Sequence, residues 1–278
     1  MEPSPSHRRP LSLGSSLWRH LRSVARFWSS SLAIELEYQM NWIVELVAVL
    51  GTLAGSVFTL SLFYGHGQRL GGWSWNGALV VLGLYSLFEG FSSTLLRPNL
   101  GNLVKQVQTG SLDFVLLKPI DAQVWLSLRS FSPWGLPEMA LGLGVAAVGL
   151  VRSAVVPTPL QWFSAAVLLL CGATILYSLW FVLAATSIWF VKVWNATEVL
   201  RSLLAAGRYP VQAYPPGLRA VFSSVIPVAF LTTVPAEALL GRAQPGSLPA
   251  AVTLALVCLA GSRTLWWLAL RHYTSASS

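Results

Sequence analysis

Charge is scarce in this chain: only 10% of its 278 residues are Asp, Glu, Lys or Arg, against 54% that are hydrophobic. A soluble domain carries about a quarter of its residues charged. That balance excludes a water-soluble fold, and with it a soluble nucleic-acid-binding protein, in spite of a net charge of +8. Cysteine is nearly missing as well. The two present, Cys171 and Cys258, lie in apolar runs, where a thiol packs as a small hydrophobe rather than forming a structural disulfide or a metal site. His7, His20, His66 and His272 all fall outside those runs, so no imidazole stands at membrane depth for a triad or a zinc site. Ser92, in a turn-like Gly90 to Ser93 stretch, accordingly has no base beside it. No glycine-rich segment leads into Lys and Ser or Thr, as a phosphate-binding loop requires. Lys105, Lys118 and Lys192 stand in other contexts. The chain shows no means of hydrolysing ATP and calls for no cofactor of its own. The first forty residues also lack the compact apolar core of a cleavable signal peptide, which predicts a retained N-terminus.

What fills the chain is six long apolar stretches, at about 42–64, 77–96, 131–151, 162–191, 219–240 and 248–270. About 20 residues span bilayer hydrocarbon as a helix. Six crossings with short connections therefore use nearly all of the sequence and predict an all-α integral membrane protein: a disordered tail over 1–15, then a single transmembrane domain over 16–278. Of the eighteen Lys and Arg residues, fifteen fall in one set of alternate gaps, among them Arg97, Lys105, Lys118, Arg201, Arg208 and Arg219. Arg69, Arg152 and Arg242 alone fall in the other. Short loops rich in Lys and Arg stay cytoplasmic, which predicts both termini inside.

Local patterns refine this outline. Leu17, Leu21, Val24 and Trp28 recur at helical spacing, with Arg19, Arg22 and Arg26 elsewhere on the wheel, which predicts a basic amphipathic helix in the headgroup plane. Gly51, Gly55 and Thr59 repeat every fourth residue and offer a small-residue face for helix packing, within the chain or between subunits. The stretch from 162 to 191 is uncharged and longer than a perpendicular crossing needs, so it tilts or projects. Pro210, Pro215, Pro216, Pro227 and Pro235 interrupt the fifth stretch and its approach. Because each removes a backbone donor, this segment is expected to be broken or re-entrant near Pro227 to Pro235.

Four acids enter the apolar stretches. Glu89 is the most central; it either lines a translocation path or makes a structural hydrogen bond to another helix. Glu45 and Glu237 lie near span ends, where solvation is the simpler reading, and Glu138 follows Pro133 and Pro137 at a helix start. Between the second and third stretches, Asn99 is a plausible N-cap and Gly110 suits a C-terminus, with Leu100, Leu103, Val104 and Val107 forming one helical stripe. This short amphipathic helix could lie on headgroups or dock in a partner's groove.

The stretches GSLDFVLLKPIDAQ (Gly110 to Gln123), GRYPVQAYPPGLRAVFSSVIPVAFLTTVPAEALLG (Gly207 to Gly241), LRHYTSASS (Leu270 to Ser278) and IELEYQMNW (Ile34 to Trp42) resemble signature segments of bacterial ABC-transporter permease subunits of the type-two, exporter-like class. Ser111 stands where that family commonly has an acid, and Gln39 where it commonly has a base. The resemblance implies a six-span permease half in the bacterial plasma (inner) membrane, with an in-plane N-terminal helix, a cytoplasmic coupling helix and a broken outer segment before the last span. It implies a second permease subunit and separate ATPase subunits that hold the ATP and Mg. The partner-contact helix would be Asn99 to Thr109, flanked by Asp113 and Lys118. The substrate path is expected between the first, second and fifth spans, with Tyr85, Phe88 and Glu89 as contacts, because one central acid lies beside amphipathic rings. A membrane scaffold that recruits a cytoplasmic partner and transports nothing is the alternative. A secondary transporter would show paired halves with repeated broken helices, and here the breaks cluster in one place.

Overall fold

The computed structural model describes Trp28 and residues 39–65, 69–190 and 194–273. The expected tail over 1–15 and the in-plane helix, apart from Trp28, lie outside the described residues. The described architecture is helical: α1 (Gln39–Tyr64), α2 (Trp75–Gln108), α3 (Asp113–Leu116), α4 (Ala122–Leu128), α5 (Pro133–Arg152), α6 (Pro159–Ile188), α7 (Trp194–Leu204), α8 (Pro216–Val225), α9 (Val228–Leu239) and α10 (Ser247–His272). Five of these, α1, α2, α5, α6 and α10, are long and apolar enough to cross a membrane. A sixth joins them if the pair α8 and α9, bent by 67°, is taken as one.

Glycine lets two of the long helices meet backbone to backbone. α2 packs most extensively on α5. A Cβ at Gly142 would lie 2.7 Å from the Gly83 carbonyl oxygen, and one at Gly149 would lie 2.7 Å from that of Asn76. Small residues at such a seam gain the close dispersion contact that holds helices together where lipid supplies no hydrophobic drive. α10 and α9 both pack on α6, around a core that includes Leu168, Ile175, Phe181 and Trp266. α1 stands apart: of its described side chains only Val49 and Leu60 are buried. Its Gly51 and Gly55 face open space, and Thr59 donates its hydroxyl to the Gly55 carbonyl at 2.8 Å. The small-residue face is therefore unused within the chain.

α2 departs from the expected pattern. The chain does not leave the second apolar stretch for a separate loop helix; it continues as one rod, which at 1.5 Å per residue is about 51 Å long. Pro98 lacks the N–H that would bond the Thr94 carbonyl. The rod widens into a π turn at Ser92–Leu96, and Ser132 N donates to the freed Thr94 oxygen at 3.0 Å. Asn99 is not the N-cap. It sits inside the helix, where Nδ2 donates to the Leu95 and Ser130 carbonyls at 2.7 Å each and Oδ1 accepts from Ser130 N at 2.7 Å. The C-terminal expectation agrees with the structure, since Gly110 takes a φ of +70° just past the helix end.

The fifth stretch is broken where expected, with a bend of 67° between α8 and α9. The ends of α8 and α9 return to one place. Near the start, Arg219 donates to the Gln212 carbonyl at 2.8 Å. Just past the end, the Arg242 guanidinium lies 4.9 Å from the Trp73 ring, and Trp73 Nε1 donates to Gln212 Oε1 at 3.0 Å. Between them the bend at Pro227 carries Phe230 and Leu231 down to Gly172, midway along α6. The stretch at 219–240 therefore dips into the bundle and comes back to the end marked by Trp73. The segment 194–212 runs alongside: Arg201 stands beside Glu89, Gly207 approaches Tyr85 and Val228, and Gln212 reaches Trp73. Arg201 and Arg208 are thus at mid-depth and Arg219 is at the Trp73 end, none of them in the loop at the opposite end where charge segregation places them.

Candidate functional site

At the middle of α2 a carboxylate meets two guanidinium groups. Glu89 is ion-paired with Arg97, two turns further along the same rod, and Arg201 Nε lies 3.6 Å away on α7. A charge at this depth is costly unless paired, and the pairing explains how Glu89 is tolerated. Its hydrogen bond is to Arg97 of the same rod, its contact with a second helix is the ion pair to Arg201, and it borders a cleft. The cleft and the open space at its mouth together amount to about 350 Å³, little of it enclosed. Tyr85, Phe88, Glu89 and Ser92 line it from α2, Leu176 and Trp180 from α6, Arg201 and Leu204 from α7, and Val228, Leu231 and Thr232 from the re-entrant bend. The first span, expected in this lining, takes no part, and the fourth long helix, α6, does.

Tyr85 forms a partition. On its far side a second cavity, of about 270 Å³, lies between α1 and the α2–α5 pair and includes Thr52, Ser56, Glu138 and Arg208. The Arg208 guanidinium stands 5.1 Å from the Tyr85 ring, within cation–π range. Phe88 is buried against α6, so close that a Cβ on Gly172 would be 2.9 Å from its ring. Sequence reasoning found Tyr85, Phe88 and Glu89 but missed Arg201, Arg208, Trp180 and Thr232. The available signal was Glu198, Arg201 and Arg208 at helical spacing among Leu200, Leu203 and Leu204. Among the described residues no cluster of three or more His, Cys, Asp and Glu side chains forms a metal site.

The stripe assigned to partner contact lies differently. Leu100 and Leu103 are buried, Leu103 completely, and Val104 and Val107 pack on the same core. Leu100 and Leu103 are thus taken up by the chain's own core, while Val104 and Val107 stay half-buried. The exposed apolar residues at that end come from the following turn, Phe114 at 72% exposure and Leu117 at 82%. Asp113, partly buried, begins α3, and Lys118 lies over the Trp125 ring with Nζ 4.0 Å from its centroid. This turn is fastened at its far end. Asp121 caps α4 by accepting from Val124 N at 3.1 Å and pairs with Arg263 of α10, whose Nη1 is 3.0 Å from Oδ1. The Arg263 guanidinium holds the Asp121 carboxyl below the usual carboxylate range. Trp28 docks at the same end, donating Nε1 to the Leu128 carbonyl at 3.0 Å and stacking on Phe131.

At the other end, Tyr64 donates to the Trp73 carbonyl at 3.1 Å and Gln212 Nε2 donates to Glu237 at 2.8 Å. Glu237 is thus a buried acceptor, not a solvated span end. Gly71, at a φ of +58°, lies so close to Gln212 that a Cβ would stand 2.5 Å from its carbonyl carbon.

A family model described as "ABC-2 family transporter protein" matches residues 50–277. No curated protein and no solved structure matches the chain. The matched stretch takes in α2, the cleft, the re-entrant pair and α10.

Proposed function

Because this chain belongs to the ABC-2 family of transporter proteins, and so is a multi-pass membrane permease of an ABC transporter whose ATPase is a separate subunit, we propose that it lines the translocation path of an exporter. On this reading it sits in a bacterial plasma membrane, pairs with a second permease subunit, equal or different, and keeps both termini cytoplasmic. It crosses six times, with 194–212 as the fifth crossing and α8–α9 as a re-entrant hairpin entered from outside. The Arg97 to Arg129 end is then cytoplasmic, in accord with the positive-inside rule.

The observation that carries the proposal is the cleft at Glu89, walled by α2, α6, α7 and the tip of the hairpin. ATP binding on the partner favours one arrangement of the paired permeases and hydrolysis releases it, so access to the cleft alternates. Phe114 and Leu117, framed by Asp113 and Lys118, supply the apolar contact to the ATPase. They replace Leu100 and Leu103, which the chain's own core occupies. The open Gly51, Gly55 and Thr59 face of α1 is available to the second permease.

Three measurements test this. Phe114→Asp with Leu117→Asp should abolish ATPase co-purification while the chain still inserts; intact coupled turnover would remove the assignment. Glu89→Ala and Phe88→Ala should each change substrate-stimulated ATPase activity in the assembled complex, and an unchanged response in both would exclude the cleft. Single cysteines at Arg219 and Arg242 should label from one face and a cysteine at Gln108 from the other; labelling of 219 together with 108 would overturn the topology.

A further inference from the structure

Three residues of the cleft wall each carry a buried polar atom with no partner. Ser92, Thr232 and Trp180 are 3%, 1% and 7% exposed. Their Oγ, Oγ1 and Nε1 atoms make no hydrogen bond, although all three residues line the same space. Unsatisfied buried polar atoms cost stability and are rare in folded chains, and here they come from three separate elements, α2, α6 and the re-entrant bend. The indole N–H can only donate, and the hydroxyls can donate. Arg201, also a pure donor, borders the space with half its side chain exposed, while the carboxylate it approaches, Glu89, is already paired with Arg97. Glu198, 3.9 Å from Arg201, is 59% exposed and does not line the cleft. The remaining wall is Tyr85, whose ring and hydroxyl face Arg208, and the apolar Phe88, Leu176, Leu204, Val228 and Leu231.

We infer that the cleft takes an oxyanion, a phosphate or carboxylate in class, carried on an apolar body, with the anion received by Arg201, Trp180 Nε1 and the Ser92 and Thr232 hydroxyls. This rests on the proposal that the cleft belongs to the transport path and names its substrate class. The donor set selects sign: an acceptor-rich headgroup satisfies every orphan atom at once, and an alkylammonium satisfies none of the obligate donors. The apolar wall selects against a bare anion.

The test is equilibrium binding to the full chain in phosphatidylcholine nanodiscs, with dodecyl phosphate, dodecyltrimethylammonium and inorganic phosphate as probes. Dodecyl phosphate should bind saturably, and the double variant Trp180→Phe with Thr232→Val should weaken it by at least about tenfold. Equal or tighter binding of the ammonium, undiminished affinity in the double variant, or inorganic phosphate competing as well as the amphiphile would each overturn the inference. Should the double variant fail to fold, Ser92→Ala, which loses no hydrogen bond, should still weaken binding by about threefold, and unchanged affinity there overturns it equally. Phosphatidylglycerol added to the discs separates the sources: competition assigns a membrane lipid headgroup, and its absence assigns a smaller soluble amphiphile. Co-purification of the ATPase is read in parallel. Absent amphiphile binding with the ATPase retained defeats this inference alone. Binding by a chain that recruits no ATPase defeats the permease coupling and leaves the site.

Discussion

Substituting alanine at Gly142 probes the contact on which the bundle depends most. The new Cβ would sit 2.7 Å from the Gly83 carbonyl oxygen, 2.7 Å from Leu87 N and 2.9 Å from Ser86 Cβ. Two of these neighbours are backbone and cannot rotate away. Restoring ordinary contact at about 3.4 Å requires α2 and α5 to separate by about 0.7 Å, a gap that forfeits a quarter to a half of the dispersion well for each pair along the seam. Overpacking of this kind costs about 1–3 kcal/mol. Alanine also gains up to about 1 kcal/mol in a helix interior over glycine, so the clean comparison is Gly144→Ala, two residues along, where the Cβ meets nothing within 4 Å. Denaturant unfolding of the purified chain in one detergent, followed by far-ultraviolet circular dichroism, should find Gly142→Ala less stable than Gly144→Ala by about 1–3 kcal/mol. Equal stabilities, within about 0.5 kcal/mol, would refute the reasoning that close backbone approach holds α2 to α5.

The remaining predictions concern charge and turn geometry. Glu89→Gln leaves Arg97 and Arg201 without their carboxylate; discounted for the exposure of Arg201, the loss should be about 1–3 kcal/mol, read as a lower melting temperature, and adding Arg97→Gln should recover part of it. Gly71→Ala combines a left-handed backbone with a clash against Gln212 and should cost more than about 1 kcal/mol, seen as faster tryptic cleavage at Arg69; an unchanged cleavage rate would count against the clamp. The Asp121 carboxyl has a folded pKa depressed below its ordinary value of 3.8. Its stabilising contribution is fully present above that value and is lost as pH falls through the folded pKa. The stability difference between wild type and Asp121→Asn should therefore stay constant from neutral pH down to about 4 and shrink below it; a difference that grew on acidification would reverse the assignment.

Much of the architecture could be read from hydropathy alone, and what could not has identifiable physical causes. α1, α5, α6 and α10 announce themselves because apolar residues fill them. The second stretch ran on unnoticed because Pro98 and Asn99 look like a stop and a start; only a tertiary donor, Ser132 N, and the Asn99 side chain satisfy the carbonyls that let the helix continue. The course of the fifth stretch is harder to read for a related reason. Glu198, Arg201 and Arg208 make 194–212 too polar to register as a span, and the hairpin over 216–239 reads as one because α9 is buried in the bundle while α8 leaves Leu218 and Val225 exposed. Glu89 was recognisable as a lone central acid, but its partner Arg201 is more than a hundred residues away and no local spacing links the two. The stripe from Leu100 to Val107 had the right period and the wrong owner: amphipathicity shows that a helix has an apolar face, not what covers it.

The uninterrupted course of α2 gives the molecule a single shaft. From Gln108 at its end to Glu89 at the cleft is about 28 Å of helix, held against α5 on the Glu89 side of the π turn and by the buried Leu100 and Leu103 on the other. Only the loosened turn at Ser92–Leu96 lies along the shaft, at the very edge of the cleft, where any flexing of the rod would be delivered.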